Sequence, residues 1–308
     1  MTAEPPCATT VQTERSRVLE AEIESEAGAQ SPHLDGQQQR QAEDRAPPGA
    51  IVIHEIVREQ GLEELARSAP SLAWSGLAAG LSIGFSFVAQ ATLTGMLPDA
   101  PWRPAVASFA YPFGFLIVIL GRQQLFTETT LTALIPALTQ RTRAIFLRTM
   151  RVWLIVLAFN LAATWAFALI LAPPAMMPPE TEAAMHLLAA HAFTPLFWHG
   201  VVMAAAAGWI IGLMVWLLPA AGAAQPLIII LLTYTVSLCG FTHVIAGSVE
   251  AAFAVLTGQA GLGDYLARFL APTLIGNTVG GTLLAALLNH APVADHLKLV
   301  RPGRRSAR

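Results

Sequence analysis

The sequence predicts an all-α membrane protein with six transmembrane helices in two inverted three-helix halves, the second and fifth helices broken. Three observations carry this. The first is composition: 54% apolar residues, 12% charged residues and a mean hydropathy of +0.54 exceed what a soluble domain reaches. The second is the presence of six apolar stretches near the 20 residues a helix needs to cross hydrocarbon, two of them overlong and polar at the centre. The third is a weak internal repeat.

The elements follow in order. Residues 1–50 are rich in Glu, Gln, Ala, Ser and Pro, and residues 1–67 hold 13 of the 20 acidic side chains, so the leader buries too little apolar surface to order and is expected to be disordered. Over residues 51–67, Ile53, Ile56, Val57, Leu62 and Leu65 recur at helical spacing among charges, predicting a short amphipathic helix on the membrane surface or capping the bundle. A membrane domain spans 68–290, its helices near 72–97, 105–138, 147–172, 193–218, 226–258 and 266–289. Helix two carries Arg122, Gln123, Gln124, Thr127 and Glu128 at its centre; helix five carries Gly240, Thr242, His243, Gly247, Ser248 and Glu250. Lipid does not tolerate that density of polar groups on an unbroken helix, whereas a helix broken beside a cavity accommodates it.

Basic residues collect at Arg141, Arg143, Arg148 and Arg151 and in a tail, 291–308, with Lys298, Arg301, Arg304, Arg305 and Arg308. Six crossings put both sets on one side, which places both termini in the cytoplasm. No basic region followed by an apolar core opens the chain, so the first membrane segment is expected to direct insertion. At an offset near 115 residues, Phe126-Thr127-Glu128 answers Phe241-Thr242-His243 and Asn160 answers Asn277, while the pair Gly80/Gly84 loosely answers Gly208/Gly212. Three helices per copy is an odd number, so the copies insert with opposite topology.

The net charge of −2, without a Lys/Arg block, excludes a nucleic-acid partner. Cys7 and Cys239 make neither a disulfide framework nor a metal site, and no metal or cofactor is expected. Nucleophile elbows, phosphate loops and dinucleotide fingerprints are missing, so the chain does not read as an enzyme. His243 is the leading candidate, because an ionisable group at mid-membrane is costly and histidine exchanges protons near neutral pH. Its bland alternative is a neutral core histidine bonded to a carbonyl or hydroxyl. Glu128 and Glu250 suit helix-end carboxylates, capping positive half-helix N-termini or pairing with Arg122; selectivity or proton relay is the alternative. His191 and His199, at the start of helix four, read as interfacial.

These residues resemble the formate/nitrite transporter family over about Leu72 to Leu288. The motifs are Gly121 to Thr132 around Leu125-Phe126-Thr127, then Gly240-Phe241-x-His243-x-x-Ala246, then Ile275-Gly276-Asn277-x-x-Gly280-Gly281. The resemblance implies homopentamers in the bilayer whose protomers have an aquaporin-like six-helix fold, in a divergent bacterial inner-membrane branch. It implies that His243 is the pore histidine and Thr127 its partner, with constrictions lined by Tyr111, Phe115, Leu125, Phe126, Ile211 and Val236. It departs from the family at Thr242, where glutamate is usual, at Gly208 and Gly247 in place of asparagines, and at Gln124 in place of an acid.

The function this implies is transport of a small monovalent anion such as formate or nitrite, or its conjugate weak acid, proton-coupled or channel-like. Two apolar rings oppose a bare anion, the neutral acid crosses more easily, and His243 would donate or relay the proton. The alternatives are a neutral-solute channel and an accessory membrane protein with a vestigial pore.

Overall fold

A computed structural model describes residues 34–193 and 196–293. Most of the polar leader and the basic tail lie outside the described residues. The chain divides into two units between Pro48 and Gly49. In the first, α1 (Gly36–Arg45) gives the leader local order that its composition does not predict. Asp35 Oδ1 accepts the N–H groups of Gln37 and Gln38 at 2.9 and 2.8 Å, and Asp35 N–H donates to Gln38 Oε1 at 3.0 Å. This reciprocal cap precedes a run of good helix formers.

The second unit starts with α2 (Ala50–Ala66). The first crossing is α3 (Ala69–Met96), opened by the Ser68 side chain, which accepts from Ser71 N–H. The second is in pieces: α4 (Arg103–Ala107), α5 (Pro112–Leu120), α6 (Phe126–Thr132) and α7 (Leu134–Gln140). The third is α8 (Arg143–Leu171), capped by Thr142. The next helix, α9 (Pro179–His191), lies in a proline-flanked stretch that the sequence reads as loop. It is short and weakly apolar, and its buried Thr181, Ala184, Met185 and Ala189 pack on α3 and the fifth crossing, support that no local pattern reveals. His191 therefore ends α9 and does not begin helix four.

The fourth crossing, α10 (Phe197–Ala221), continues into α11 (Gln225–Leu238) as one apolar stretch of 42 residues. Gly222, at φ +49°, turns it so that the two helices pack together. After a break comes α12 (Ala246–Leu256), completing the fifth crossing. The sixth is Leu262–Val293, with α13 (Ala271–Val279) between π-helical stretches at Tyr265–Leu270 and Gly280–Leu287. Both predicted breaks are present.

Each break is held by one asparagine. Asn160 on α8 accepts Phe126 N–H at 2.9 Å and donates to the carbonyls of Gln124 (3.0 Å) and Gly76 (2.8 Å). Asn277 on α13 accepts Val244 N–H at 2.7 Å and donates to the carbonyls of Thr242 (2.9 Å) and Ala204 (2.8 Å). Gly80 and Gly208 are bare because a Cβ would strike the backbones of Asn160 and Asn277.

This pairing corrects the register of the repeat. Gln124 matches Thr242 and Phe126 matches Val244, a spacing of 118 positions, so His243 answers Leu125 and not Glu128. The preceding turns agree: Gln123 N–H bonds Val118 O and Phe241 N–H bonds Val236 O, both at 2.9 Å. Arg122 (φ +50°) and Gly240 (φ +65°) then occupy the same left-handed position. The Phe-Thr match visible in the sequence is a coincidence, since side chains diverge between the halves while the backbone bonds persist.

The helix α2 caps the bundle, packing on α6, α7, α8 and α10. Its buried stripe is His54, Val57, Gly61 and Leu65, with Ile53, Ile56 and Leu62 half-buried beside it. A Cβ at Gly61 would collide with Thr132 O, so the missing side chain sets how closely α2 approaches.

Candidate functional site

His243 lies in the second break, 1% exposed, and its orientation follows from three hydrogen bonds. Nδ1 accepts the N–H groups of Ile245 (3.2 Å) and Ala246 (3.1 Å), the first free donors of α12. A nitrogen that accepts carries no proton, so the hydrogen resides on Nε2 and points at Thr127 Oγ1, 2.8 Å away. Thr127 is in the first turn of α6, so one contact joins the two broken helices. The ring of Phe115 stands edge-on to His243, centroids 5.1 Å apart, and Tyr111 packs on Phe115 at 5.2 Å.

Tyr111, Phe115, Leu125, Phe126, Ile211 and Val236 are all buried in the main apolar core. Phe115 is the aromatic that meets the histidine; Phe126 turns its ring to Trp153 on α8, 6.4 Å away. His243 is thus buried against an aromatic ring, with Thr127 Oγ1 as its side-chain hydrogen-bond partner.

Glu128 and Glu250 are both half-buried. Glu128 is in the first turn of α6, but the N-terminus there has no side-chain cap, and Glu128 Oε1 is buried without a hydrogen-bond partner. Glu250 lies beyond the first turn of α12, close enough to Tyr111 to act on it electrostatically. Among the described residues the ion pairs are Arg58–Glu55, Arg103–Asp99 and Arg268–Asp264, so neither carboxylate pairs with Arg122.

Glu128 faces a cavity of about 450 Å³ on the side of α2, shared with Glu64, Arg67, Arg122, Gln123 and Gln124. Sequence reasoning missed Glu64. Its Oε2 accepts from Thr132 Oγ1 at 2.6 Å and its Oε1 from Gln124 Nε2 at 3.4 Å. Burial pushes this carboxyl up to about 7, against the opposing hydrogen bonds from Thr132 and Gln124. A signal was available: Glu64 stands three residues after Gly61 and seven after Val57, on the stripe by which α2 docks. Also unforeseen is a buried hydroxyl chain, Thr164 Oγ1 to Ser248 Oγ at 3.0 Å and on to Tyr265 Oη at 2.7 Å, which ties α8, α12 and the sixth crossing.

Comparison with known proteins agrees with this geometry. Residues 52–291 match the formate/nitrite transporter family. The inner membrane protein YfdC of Escherichia coli (strain K12) is 38% identical over 263 residues, 83% of this chain and 82% of that protein. Formate-nitrite transporter 3 of Toxoplasma gondii (strain ATCC 50611 / Me49) is 27% identical over 243 residues, 73% of this chain and 47% of that protein. Among solved structures, a pentameric formate channel with formate bound superposes with a TM-score of 0.60 at 20% identity, covering 75% of this chain and 97% of that one. An FNT family ion channel gives 0.66 at 18% identity, covering 78% and 98%. Those superpositions establish the fold, and the match along the sequence establishes the lineage: this multi-pass membrane chain belongs to the formate/nitrite transporter family.

Proposed function

We propose that this chain conducts a small monovalent anion of the formate or nitrite kind, as its conjugate weak acid, through a pore within each protomer of a homopentamer. The observation that carries this is His243, buried at the second break beside Phe115 with its Nε2–H aimed at Thr127. A bare anion loses its hydration at the rings of Phe115 and Leu125, while the neutral acid crosses and exchanges hydrogen bonds with His243 and Thr127. Protonating Nδ1 would break both bonds to α12 and set a cation at a positive helix end. His243 then acts as a fixed donor to the permeant, and the proton that neutralises the anion is supplied elsewhere.

Arg151 donates to Arg67 O at 3.2 Å, so the arginine-rich turn before α8 shares a side with α2. The excess of basic residues favours that side as the cytoplasmic one, and similarity to the inner membrane protein YfdC supports a bacterial inner membrane. Residues 68–290 form the conducting domain, and the leader and tail are cytoplasmic appendages.

Flux of formate and nitrite into proteoliposomes tests the proposal. His243→Phe should assemble normally and abolish flux, whereas His243→Asn should retain part of it, because asparagine donates a hydrogen bond without titrating. Wild-type vesicles impermeable to either anion, or full flux through His243→Phe, would overturn the reading and favour a vestigial pore. Passage of a neutral solute with both anions excluded would favour the neutral-solute channel.

A further inference from the structure

The pore histidine is committed as a hydrogen-bond donor, so a permeating weak acid needs its proton before it reaches the apolar passage. On the side of α2 a cavity of about 450 Å³ lies against the first break, walled by Arg122, Gln123, Gln124 and Glu128. Two carboxyl groups from different elements line it: Glu64 of α2 and Glu128 of α6. Resting on the weak-acid reading above, we infer that Glu64 and Glu128 are a proton-holding pair that neutralises the incoming anion at this mouth of the pore.

Four observations lead to this. First, Glu64 has a partner in either protonation state. Ionised, its Oε2 accepts from Thr132 Oγ1 at 2.6 Å; protonated, it donates to the same oxygen, whose hydrogen turns to Glu128 O at 3.5 Å. A group satisfied both ways can hold and release a proton without rearranging the fold. Second, Glu128 Oε1 and Gln123 Oε1 are buried at the cavity wall with no partner, two acceptors left for a ligand hydrogen or water. Third, an anion has a reason to enter. Arg122 and Arg67 line the cavity, and Arg122 has no ion pair among the described residues while holding a left-handed backbone that its counterpart Gly240 adopts without cost. Fourth, the opposite break lacks the chemistry: Gly240-Phe241-Thr242 stand where Arg122-Gln123-Gln124 stand here.

The charged groups facing Glu64 are Glu63 and Arg67 on its own helix, and Arg122 and Glu128 across the cavity. The α10 and α11 walls contribute Val215, Leu218, Pro219 and Gln225, none of which titrates. Two carboxyl groups on one cavity wall with no cation bonded to either oppose being ionised together, which favours one of them holding a proton. Burial brings Glu64 to about 7, close to ambient pH, where transfer in both directions is efficient. In the step itself the Glu64 O–H bond breaks as a new O–H bond forms on the permeant. The carboxylate is then reprotonated from vestibule water, so one proton travels with each anion.

The test compares wild type, Glu64→Gln and Glu128→Gln in proteoliposomes, using formate, and formamide as a neutral probe of similar size. Glutamine preserves volume and hydrogen bonding, and native mass confirms assembly. We expect formate flux at neutral pH to fall on the order of tenfold or more in either variant, to recover in acid where bulk water supplies formic acid, and to leave formamide flux unchanged. Infrared titration of the wild-type protein should show a protonated carboxyl band near neutral pH that is lost in Glu64→Gln. Formate flux with an unaltered pH profile in both variants would overturn the pair alone. Absence of any formate flux in the wild type would overturn the weak-acid reading with it. Equal loss of formate and formamide would mean a structural role and would also overturn the pair.

Discussion

Asn160 and Asn277 show how much of this protein rests on single side chains. Each bonds two backbone groups that a broken helix leaves without partners inside the membrane, and a carbonyl of the neighbouring unbroken helix. Asn277→Leu would strand Val244 N–H and the carbonyl of Thr242 in the break, at about 1–3 kcal/mol for each buried group. The thermal midpoint of the assembled protein should fall clearly, and Asn277→Asp, which keeps the acceptor, should fall less. Equal midpoints for wild type and Asn277→Leu would mean that the loop is held by other contacts. His243 depends on the same loop, so Asn277→Leu should also lower conduction without touching the pore. Asn160 and Asn277 were legible as a matched pair; the spacing of 118 that relates their loops was not, because it resides in backbone bonds.

At the scale of elements, α2 is the part whose docking responds to conditions. His54 Nε2 lies 2.8 Å from His290 Nδ1, the rings stacked at 5.0 Å with Trp216 at 6.1 Å. Burial first, and His290 second, hold His54 below its ordinary value; Glu55 opposes this and Arg58 adds to it. The lowered value sets the sign. Undocked α2 binds the proton more readily, so docking is at full strength above about pH 6.5 and is lost progressively as pH falls below it. Deuterium uptake across Ala50–Ala66, corrected for intrinsic exchange, should therefore rise on acidification, and His54→Phe should flatten that rise. A pH-independent uptake in the wild type would remove the histidine pair from α2 docking. The helix itself was legible from its spacing. Val57 and Leu65 are buried as the spacing predicts; His54 and Gly61 join them on the most buried line, while Ile53, Ile56 and Leu62 flank it half-buried.

For the whole molecule the outer surface matters. Trp74 and Trp198 are each 73% exposed, Leu154 68% and Val202 65%, an apolar exterior that lipid or neighbouring protomers must cover. Native mass measured in mild detergent should give a homopentamer, and a stable monomer or trimer would contradict the assembly proposed above. The conducting path should survive in each protomer, so mixed pentamers of wild type and His243→Phe should conduct in proportion to their wild-type subunits. An all-or-none loss at one mutant subunit would point to a shared central path.

The sequence by itself determined the membrane setting, the six crossings, both breaks and the inverted halves, and it singled out His243 at the second break. All of these are written in hydropathy, in polar groups placed where lipid forbids them, and in motifs local to a few residues. Tertiary structure alone decided which nitrogen of His243 carries the proton, because that depends on the free N–H groups of α12. It alone brought Glu64 beside Gln124 and Thr132, more than fifty residues away along the chain. It also formed α9, whose support comes from α3 and α12. The physical reason is common to these cases: a buried polar group takes its character from whatever else desolvates and bonds it, and those partners come from distant segments that only folding brings together.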